Sequence, residues 1–376
     1  MKLRFLVTVS ALLAADFVCA EEPWRFITLA DWHWAESYVW QEKFPDRYQQ
    51  TLEKHTAEVA TIKKLFGGDL MMLPGDSNTG HWDETKFIQN FMPGATPEQS
   101  VLKAGNLCYS GMIKAFHDGG YSRLLMAVGD HEMGDNPWPS GSVVSRCQPQ
   151  FKEAFAKAWN TDPDGGDFIY SAPIGKAPSR PLGTLYEGTS FAYRYKNVLF
   201  ITVDVFHQES PSKVIGEEGT VTGAVTGEHL AWLDQILSEV RKDPSVCHIF
   251  VQGHLPVIYP VRKVSSSGML MDHGTESDFW NVLRKYQVDI YFAGEVHDNT
   301  VTKDPDSNLL QVVSRGNFFD NIMTVDVTDR QIELTSYNQT GTAVTDGQYK
   351  PYGHLLVDKS GAQTKIDGTG VLALLQ

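Results

Sequence analysis

Five short apolar runs in this sequence each end in side chains that can hold a metal ion. Phe26–Ala30 leads into Asp31-Trp32-His33, and Leu70–Pro74 into Gly75-Asp76. Leu124–Val128 leads into Gly129-Asp130-His131-Glu132, His248–Gln252 into Gly253-His254, and Ile290–Ala293 into Gly294-Glu295-Val296-His297. Carboxylates and imidazoles are the oxygen and nitrogen donors of divalent-cation sites. Singly the clusters say little: Gly-Asp is a common turn, and a lone Asp-x-His is more often an exposed polar pair than a ligand pair. Five in order, each closing an apolar run, are hard to explain as turns. The chemistry they point to is that of bound cations.

Such residues act together only if the fold gathers them. In parallel α/β sheets ligands sit beyond the carboxyl ends of the strands, so five strand ends would converge on one rim. Glycine before four of the clusters suits tight turns that let backbone approach a site. The rest of the pattern agrees. Helices are expected near Gln50–Phe66, Glu84–Phe91 and Glu98–His117, alternating with the first strands. The middle changes character: Phe168–Ala172, Thr184–Tyr195 and Val198–Phe206 read as antiparallel strands. A helix over Glu228–Arg241 follows, then Val246–Gln252, a helix over Glu276–Tyr286, and the strands Val288–Ala293, Leu309–Ser314, Ile322–Val327 and Gln331–Tyr337. The expected fold is α/β: two mixed β-sheets packed as a sandwich and flanked by helices. Residues 341–376 are weakly patterned and read as a peripheral extension of a domain spanning 21–340.

Residues 1–20 have the layout of a secretory leader, with Lys2 and Arg4 before an apolar stretch and Val18-Cys19-Ala20 at the cleavage position. Export is therefore expected, with cleavage after Ala20 and no membrane anchor. The chain carries a formal charge of −14; the leader's Lys2, Arg4 and Asp16 account for +1, which leaves −15 after removal. So acidic a protein is a poor ligand for nucleic-acid polymers, whose binding rests on Lys and Arg at phosphates. Of the remaining cysteines, Cys247 reads as a buried thiol. Cys108 and Cys147 flank a polar region, and an oxidising compartment would allow a disulfide between them, which the spacing leaves open.

From Asp31 to His297 the chain resembles the calcineurin-like metallophosphoesterases, the superfamily of purple acid phosphatases and many phosphodiesterases. Their pattern is Asp-x-His, Gly-Asp, Gly-Asn-His-Asp/Glu, Gly-His and Gly-His-x-His, each after a strand. The resemblance implies two metal ions. Asp31, His33, Asp76 and His297 would hold one, and Asp76, Asp130, His254 and Glu295 the other, with Asp76 bridging. A hydroxide on the metals would attack phosphorus. His131 matches the family histidine beside the leaving group, and Glu132 is expected either to orient it or to face solvent.

Two positions depart from that pattern. Asp130 stands where the family has Asn, and Glu295 where it has His. With both ionised, two divalent ions, their ligands and a hydroxide total −1 instead of +1. That disfavours a phosphate dianion unless a trivalent ion, protonation of one carboxylate or a nearby basic side chain compensates; Arg262, Lys263 and Arg315 are the candidates, with Ser266 as a phosphoryl hydrogen-bond donor. Oxygen-rich coordination favours harder ions (Mn, Mg, Ca or Fe) over Zn at the Asp130/Glu295 site. Trp32, Trp34, Trp82 and Trp138 lie near the motif loops, where packing explains them better than substrate stacking does. The expected partner is a small phosphorylated substrate. Hydrolysis of phosphate monoesters leads, diesters or nucleotides are the near alternative, and a metal-binding module without catalysis is the reading from another class.

Overall fold

The computed structural model describes residues 22–375 except 35, 208–221 and 318–319. The expected leader lies outside the described residues. Among the described residues, no helix is long and apolar enough to cross a membrane.

Two seven-stranded sheets face each other. The first is built on β1 (Trp24–Thr28), β2 (Met71–Leu73) and β3 (Leu124–Met126), which run parallel. Long helices make the crossovers: α1 (Pro45–Phe66) between β1 and β2, then α2 (Thr85–Phe91) and α3 (Pro97–Asp118) between β2 and β3. α3 starts where its sequence says it should. Thr96 accepts from the Gln99 N–H while the Gln99 side chain accepts from the Thr96 N–H, and Pro97 takes the first position, so several end groups are satisfied locally. After α4 (Val143–Arg146) and α5 (Gln148–Trp159) the chain enters the second sheet with the β4 (Phe191–Tyr195) and β5 (Val198–Thr202) hairpin. α6 (Gly227–Val240), β6 (His248–Gln252), α7 (Asp278–Lys285) and β7 (Ile290–Ala293) extend it in parallel. β8 (Thr300–Lys303) and β9 (Leu310–Val313) complete it, and β10 (Asn321–Val327) and β11 (Gln331–Gln339) return to the first sheet.

Alternation along the strands makes the sandwich. Trp24 and Phe26 point to the inter-sheet core while Ile27 points to the helices. The Phe26 ring lies 5.2, 5.6 and 6.3 Å from those of Phe200, Phe250 and Phe292 on the opposite sheet. Truncating it to Ala would cost ~3–5 kcal/mol. Gln252, buried at the end of β6, donates to the Leu125 carbonyl across the layers (2.8 Å), fixing the two sheets in register where the site begins.

Two expectations need correction, and the weakly patterned tail acquires structure. Phe168–Ala172 and residues 184–189 are not strands. The buried Arg180 guanidinium donates to the Ile169 and Glu187 carbonyls and lies over the Phe168 ring, supplying by side chain what a ladder would have supplied by backbone. Cys108 and Cys147 are buried thiols, not a disulfide, and Cys247 is only half-buried. Residues 349–375 form β12 (Tyr349–Asp358), β13 (Lys365–Gly370) and β14 (Leu374–Leu375). The first two extend one sheet and the last pairs with β8 of the other.

Candidate metal centre

β1, β2, β3, β6 and β7 all deliver their carboxyl ends to one rim, and the loops beyond them are tied together by backbone. Asp31 N–H donates to the Gly75 carbonyl (3.0 Å), His33 N–H to that of Asp76 (3.1 Å), and Gly294 N–H to that of His254 (2.9 Å). The fit is close: a Cβ at Gly75 would overlap the His254 ring, and one at Gly129 would overlap the Asp76 carboxylate. Asp31, His33, Asp76, Glu295 and His297 all have positive φ, between 44° and 70°. For residues other than glycine this is uncommon, costs ~1–3 kcal/mol each, and clusters at functional sites. The same local strain aims five side chains inward.

These loops bring together the residues expected from sequence. Asp31, His33, Asp76 and His297 form one group, and Asp76, Asp130, His254 and Glu295 a second, each with ligand atoms within 4.8 Å of one another. Asp76 belongs to both. His33 Nε2 is 3.3 Å from His297 Nε2 and 3.8 Å from Asp76 Oδ2, and His297 Nε2 is 3.6 Å from Asp31 Oδ1. His254 Nε2 lies 3.2 Å from Asp76 Oδ2 and 3.4 Å from both Asp130 Oδ1 and Glu295 Oε2. The His254 Nδ1 faces the Pro74 carbonyl at 2.7 Å, so that nitrogen carries the proton and Nε2 is left for the centre.

Whether cations fit here can be judged from the buried atoms. Asp31 Oδ2, Asp130 Oδ1 and His254 Nε2 are buried without a hydrogen bond of good geometry, an expensive arrangement for bare polar atoms and the right one for ligands. Burial, reinforced by Asp130, pushes the Asp76 carboxyl up to about 7. Burial also raises Asp31 well above the carboxylate range and, with His131 and His297 beside it, lowers His33 to about 3. Burial would lower His254 too, but Asp76, Asp130 and Glu295 around it hold it well above the histidine range. Protons thus occupy a site of opposed charges, and cation binding among such groups releases them. The donor set fits two cations.

Around the ligands, several expected roles change. His131 Nδ1 faces the Thr79 carbonyl (3.0 Å) and Nε2 turns to the cavity, 4.0 Å from Asp76 Oδ2 and 3.7 Å from Asp135 Oδ1. Burial opposes its charge, but Asp76, Asp130 and Asp135 outweigh that and raise it to about 10. Glu132 neither orients His131 nor faces solvent. It is buried, and its carboxylate accepts from the N–H groups of Asp76, Ser77 and Gly129, the Ser77 hydroxyl and the Asn78 amide, all between 2.7 and 2.9 Å. It is the clamp between two ligand loops. Arg262 donates to the Asn299 and Val371 carbonyls and is used up bracing the chain before β14. A cavity of about 220 Å³ over the ligands is lined by Asp76, Asp130, His131, Asp135, Asn136, Ser265–Ser267, Glu295 and His297. Arg315 is not in that wall, and neither is any other Lys or Arg among the described residues. Ser266 is, with its hydroxyl buried and without a partner. Trp32, Trp34, Trp82 and Trp138 are all buried, which settles them as packing.

The sequence did not single out Asp135 or Asn136. Asn136 Nδ2 donates to Asp130 Oδ2 at 2.5 Å. The only signal was their position directly after the Gly129–Glu132 cluster.

In overall fold the chain is similar to several solved phosphatase structures. A dimetal phosphatase from Danio rerio superposes over 84% of this chain and 96% of its own, at 16% identity and TM-score 0.50. PhoD does so over 94% and 74%, at 11% identity and TM-score 0.53. Purple acid phosphatase PPD1 from yellow lupin (Lupinus luteus) seeds does so over 91% and 55%, at 12% identity and TM-score 0.54. The chain has the calcineurin-like phosphoesterase fold. Neither a protein-family model nor a curated protein matches the sequence. In this chain β1, β2 and β3 of one sheet and β6 and β7 of the other carry the two groups of possible ligands at their carboxyl ends.

Proposed function

We propose that this protein is an exported, dinuclear-metal hydrolase of phosphate esters, and that it acts on diesters in preference to monoesters. The observation that carries the dinuclear-metal reading is the pair of ligand groups sharing Asp76; export rests on the leader-like layout of residues 1–20. Two cations held there would polarise phosphoryl oxygens and acidify water. Asp31, His33, Asp76 and His297 would hold one, and Asp76, Asp130, His254 and Glu295 the other. Fold likeness to dimetal and purple acid phosphatases supports the reading.

The chain's own groups have distinct tasks. His131, locked by the Thr79 carbonyl, presents Nε2 at the cavity wall and holds a proton for the leaving oxygen. Ser266 offers a hydroxyl to a phosphoryl oxygen. Glu132 keeps the Asp76 and Gly129 loops at fixed separation, which places ligands and acid correctly relative to each other.

The preference for diesters rests on the wall. The sequence favoured monoesters from the expected export and the acid-phosphatase-like arrangement, while the two extra carboxylates favoured a less anionic diester. Arg262 is engaged elsewhere and no Lys or Arg lines the cavity among the described residues. A diester brings one negative charge where a monoester brings nearly two, and the added charge is costly where two extra carboxylates, Asp130 and Glu295, surround the ions. Elemental analysis of the purified protein, followed by assay of an aryl monoester and its bis-aryl diester with the metals found, tests this. A kcat/KM about tenfold higher for the diester, the scale of one extra opposed charge, is expected. A monoester preference overturns the specificity, and bound metal without turnover of any ester would make the protein a metal-binding module.

A further inference from the structure

β5 runs parallel beside β6, so its carboxyl end reaches the same rim, and it too is followed by an acid, Asp204. Asp204 belongs to neither ligand group. It is wholly buried and pairs instead with Lys152 of α5 (2.7 Å), whose side chain is only 9% exposed. Thr189 donates to the same carboxylate oxygen (2.8 Å), and the other oxygen accepts from the Phe206 N–H (3.0 Å). The Lys152 ammonium also reaches the Phe206 carbonyl (3.4 Å). One helix thus grips the end of β5 through the side chain of Asp204 and the backbone of Phe206. That end lies against a ligand. The Val203 N–H donates to the Gln252 carbonyl (2.9 Å), a Cβ at Gly253 would overlap Val205, and the Phe206 ring lies 6.4 Å from the His254 ring. Phe206 also meets Trp138 (6.0 Å), whose indole donates to the Met133 carbonyl in the loop that follows Asp130 (2.8 Å).

From this we infer that Lys152 and Asp204 are positioning residues for the group of Asp76, Asp130, His254 and Glu295: they hold Phe206 against the His254 ring and so fix where its Nε2 points. The inference rests on the dinuclear-metal reading, because His254 is taken as a ligand. The physical basis has two parts. A buried ion pair is costly to desolvate and contributes little net stability; what it supplies is one fixed register among near-equal arrangements. The hydrogen bond from His254 Nδ1 to the Pro74 carbonyl leaves the ring free to tilt about that bond. An aromatic neighbour locked in place removes that freedom, and a ligand held in one orientation binds its ion without first being ordered.

Lys152→Met combined with Asp204→Asn tests it. Both charges go together, so no buried charge is left alone, and the amide that replaces the carboxylate still accepts from the Phe206 N–H. Stepwise calorimetric titration with Mn should show affinity at the group containing His254 weakened by roughly 10–100-fold, as for other residues that orient a ligand. The group containing His33 should be unchanged, and the thermal midpoint should stay close to that of the wild type. Phe206→Leu leaves the ion pair intact and should give the same one-sided loss; it stands in for the double variant if that fails to fold. Crystal structures of the metal-free variants give a readout that needs no ion: His254 Nδ1 should leave the Pro74 carbonyl, 2.7 Å away in the wild type. Equal weakening of both groups, or wild-type affinity with an unmoved His254 in the double variant, overturns the positioning role. A loss confined to Phe206→Leu overturns the part given to Lys152 and Asp204. A wild type that takes up no metal, with His254 displaced in the variants, overturns the dinuclear-metal reading and leaves the positioning standing.

Discussion

The two ligand cages share Asp76 and little else. The cage of Asp31, His33 and His297 holds two imidazoles, both half-buried, and its histidines face each other across 3.3 Å. The cage of Asp130, His254 and Glu295 is fully buried and holds one imidazole among carboxylates. Its carboxylates are also supported from behind. The far oxygen of Asp130 is held by Asn136, and that of Glu295 by the Ser267 hydroxyl and the N–H groups of Gly268 and Met269. One cage is nitrogen-rich and accessible; the other is oxygen-rich, deep and braced. The difference teaches that Asp130 and Glu295 are not eroded ligands, because each comes with donors suited to a carboxylate and not to the Asn or His that the family pattern would put there.

The most damaging change should be Asp76→Asn, which removes what the cages have in common. Both ions should be lost together and kcat should fall by roughly 10⁴-fold or more, the scale on which a whole catalytic unit fails. Elemental analysis of the variant checks this. Retention of one full equivalent would mean that the cages are independent and the bridge is wrong. Next in size is His131→Ala, which removes no member of either cage, although its ring packs edge-on against His33 (4.5 Å between centroids). Metal content should stay at the wild-type value while kcat drops by roughly 10²–10⁴, the usual worth of a positioned proton donor. An unchanged rate would remove His131 from the reaction.

The contrast between the cages also shows what could be read before the fold was known. The convergence of all seven residues was legible, because each follows an apolar strand at a fixed short distance and parallel strands bring their carboxyl ends to one rim. Glu132 was not, since its role depends on two loops meeting at Gly129 and Asp76, 53 positions apart in the chain and adjacent only in the fold. Arg262 was misread for a related reason. Its carbonyl partners include Val371, in a tail whose strands expose one face and bury the other, as Leu355 and Val357 do in β12. Such one-sided edge strands carry a weak apolar signal. Asp135 and Asn136 sit in a turn with positive φ, where direction is set by backbone and not by residue type.

A smaller effect isolates the support behind one cage. Asn136→Ala deletes the donor to Asp130 and leaves every ligand in place. Affinity at the carboxylate-rich cage should weaken by roughly 10–100-fold, as for other residues that orient a ligand, while the histidine-rich cage is unaffected. Stepwise metal titration resolves the two. Equal weakening of both would show that Asn136 acts on Asp76 through the shared loop, and the distinction between the cages would blur.

The finest test changes the preference of a cage and not its strength. Asp130→Asn with Glu295→His restores the family's donors and should shift relative affinity from Mn toward Zn by about tenfold, since an added imidazole suits Zn and a lost carboxylate penalises harder ions. Glu295→His also strips an acceptor from Ser267, Gly268 and Met269, so part of any change could come from a displaced loop. Asp130→Asn alone separates the two causes. It keeps an oxygen toward His254 and leaves the Ser267 loop untouched, so it should give a smaller shift in the same direction. If the single variant moves preference as far as the double, charge at Asp130 sets the selectivity and the brace on Glu295 serves the cavity wall instead. If neither moves it, ion choice lies with the histidine-rich cage, and the oxygen-rich one has been shaped for something other than its metal.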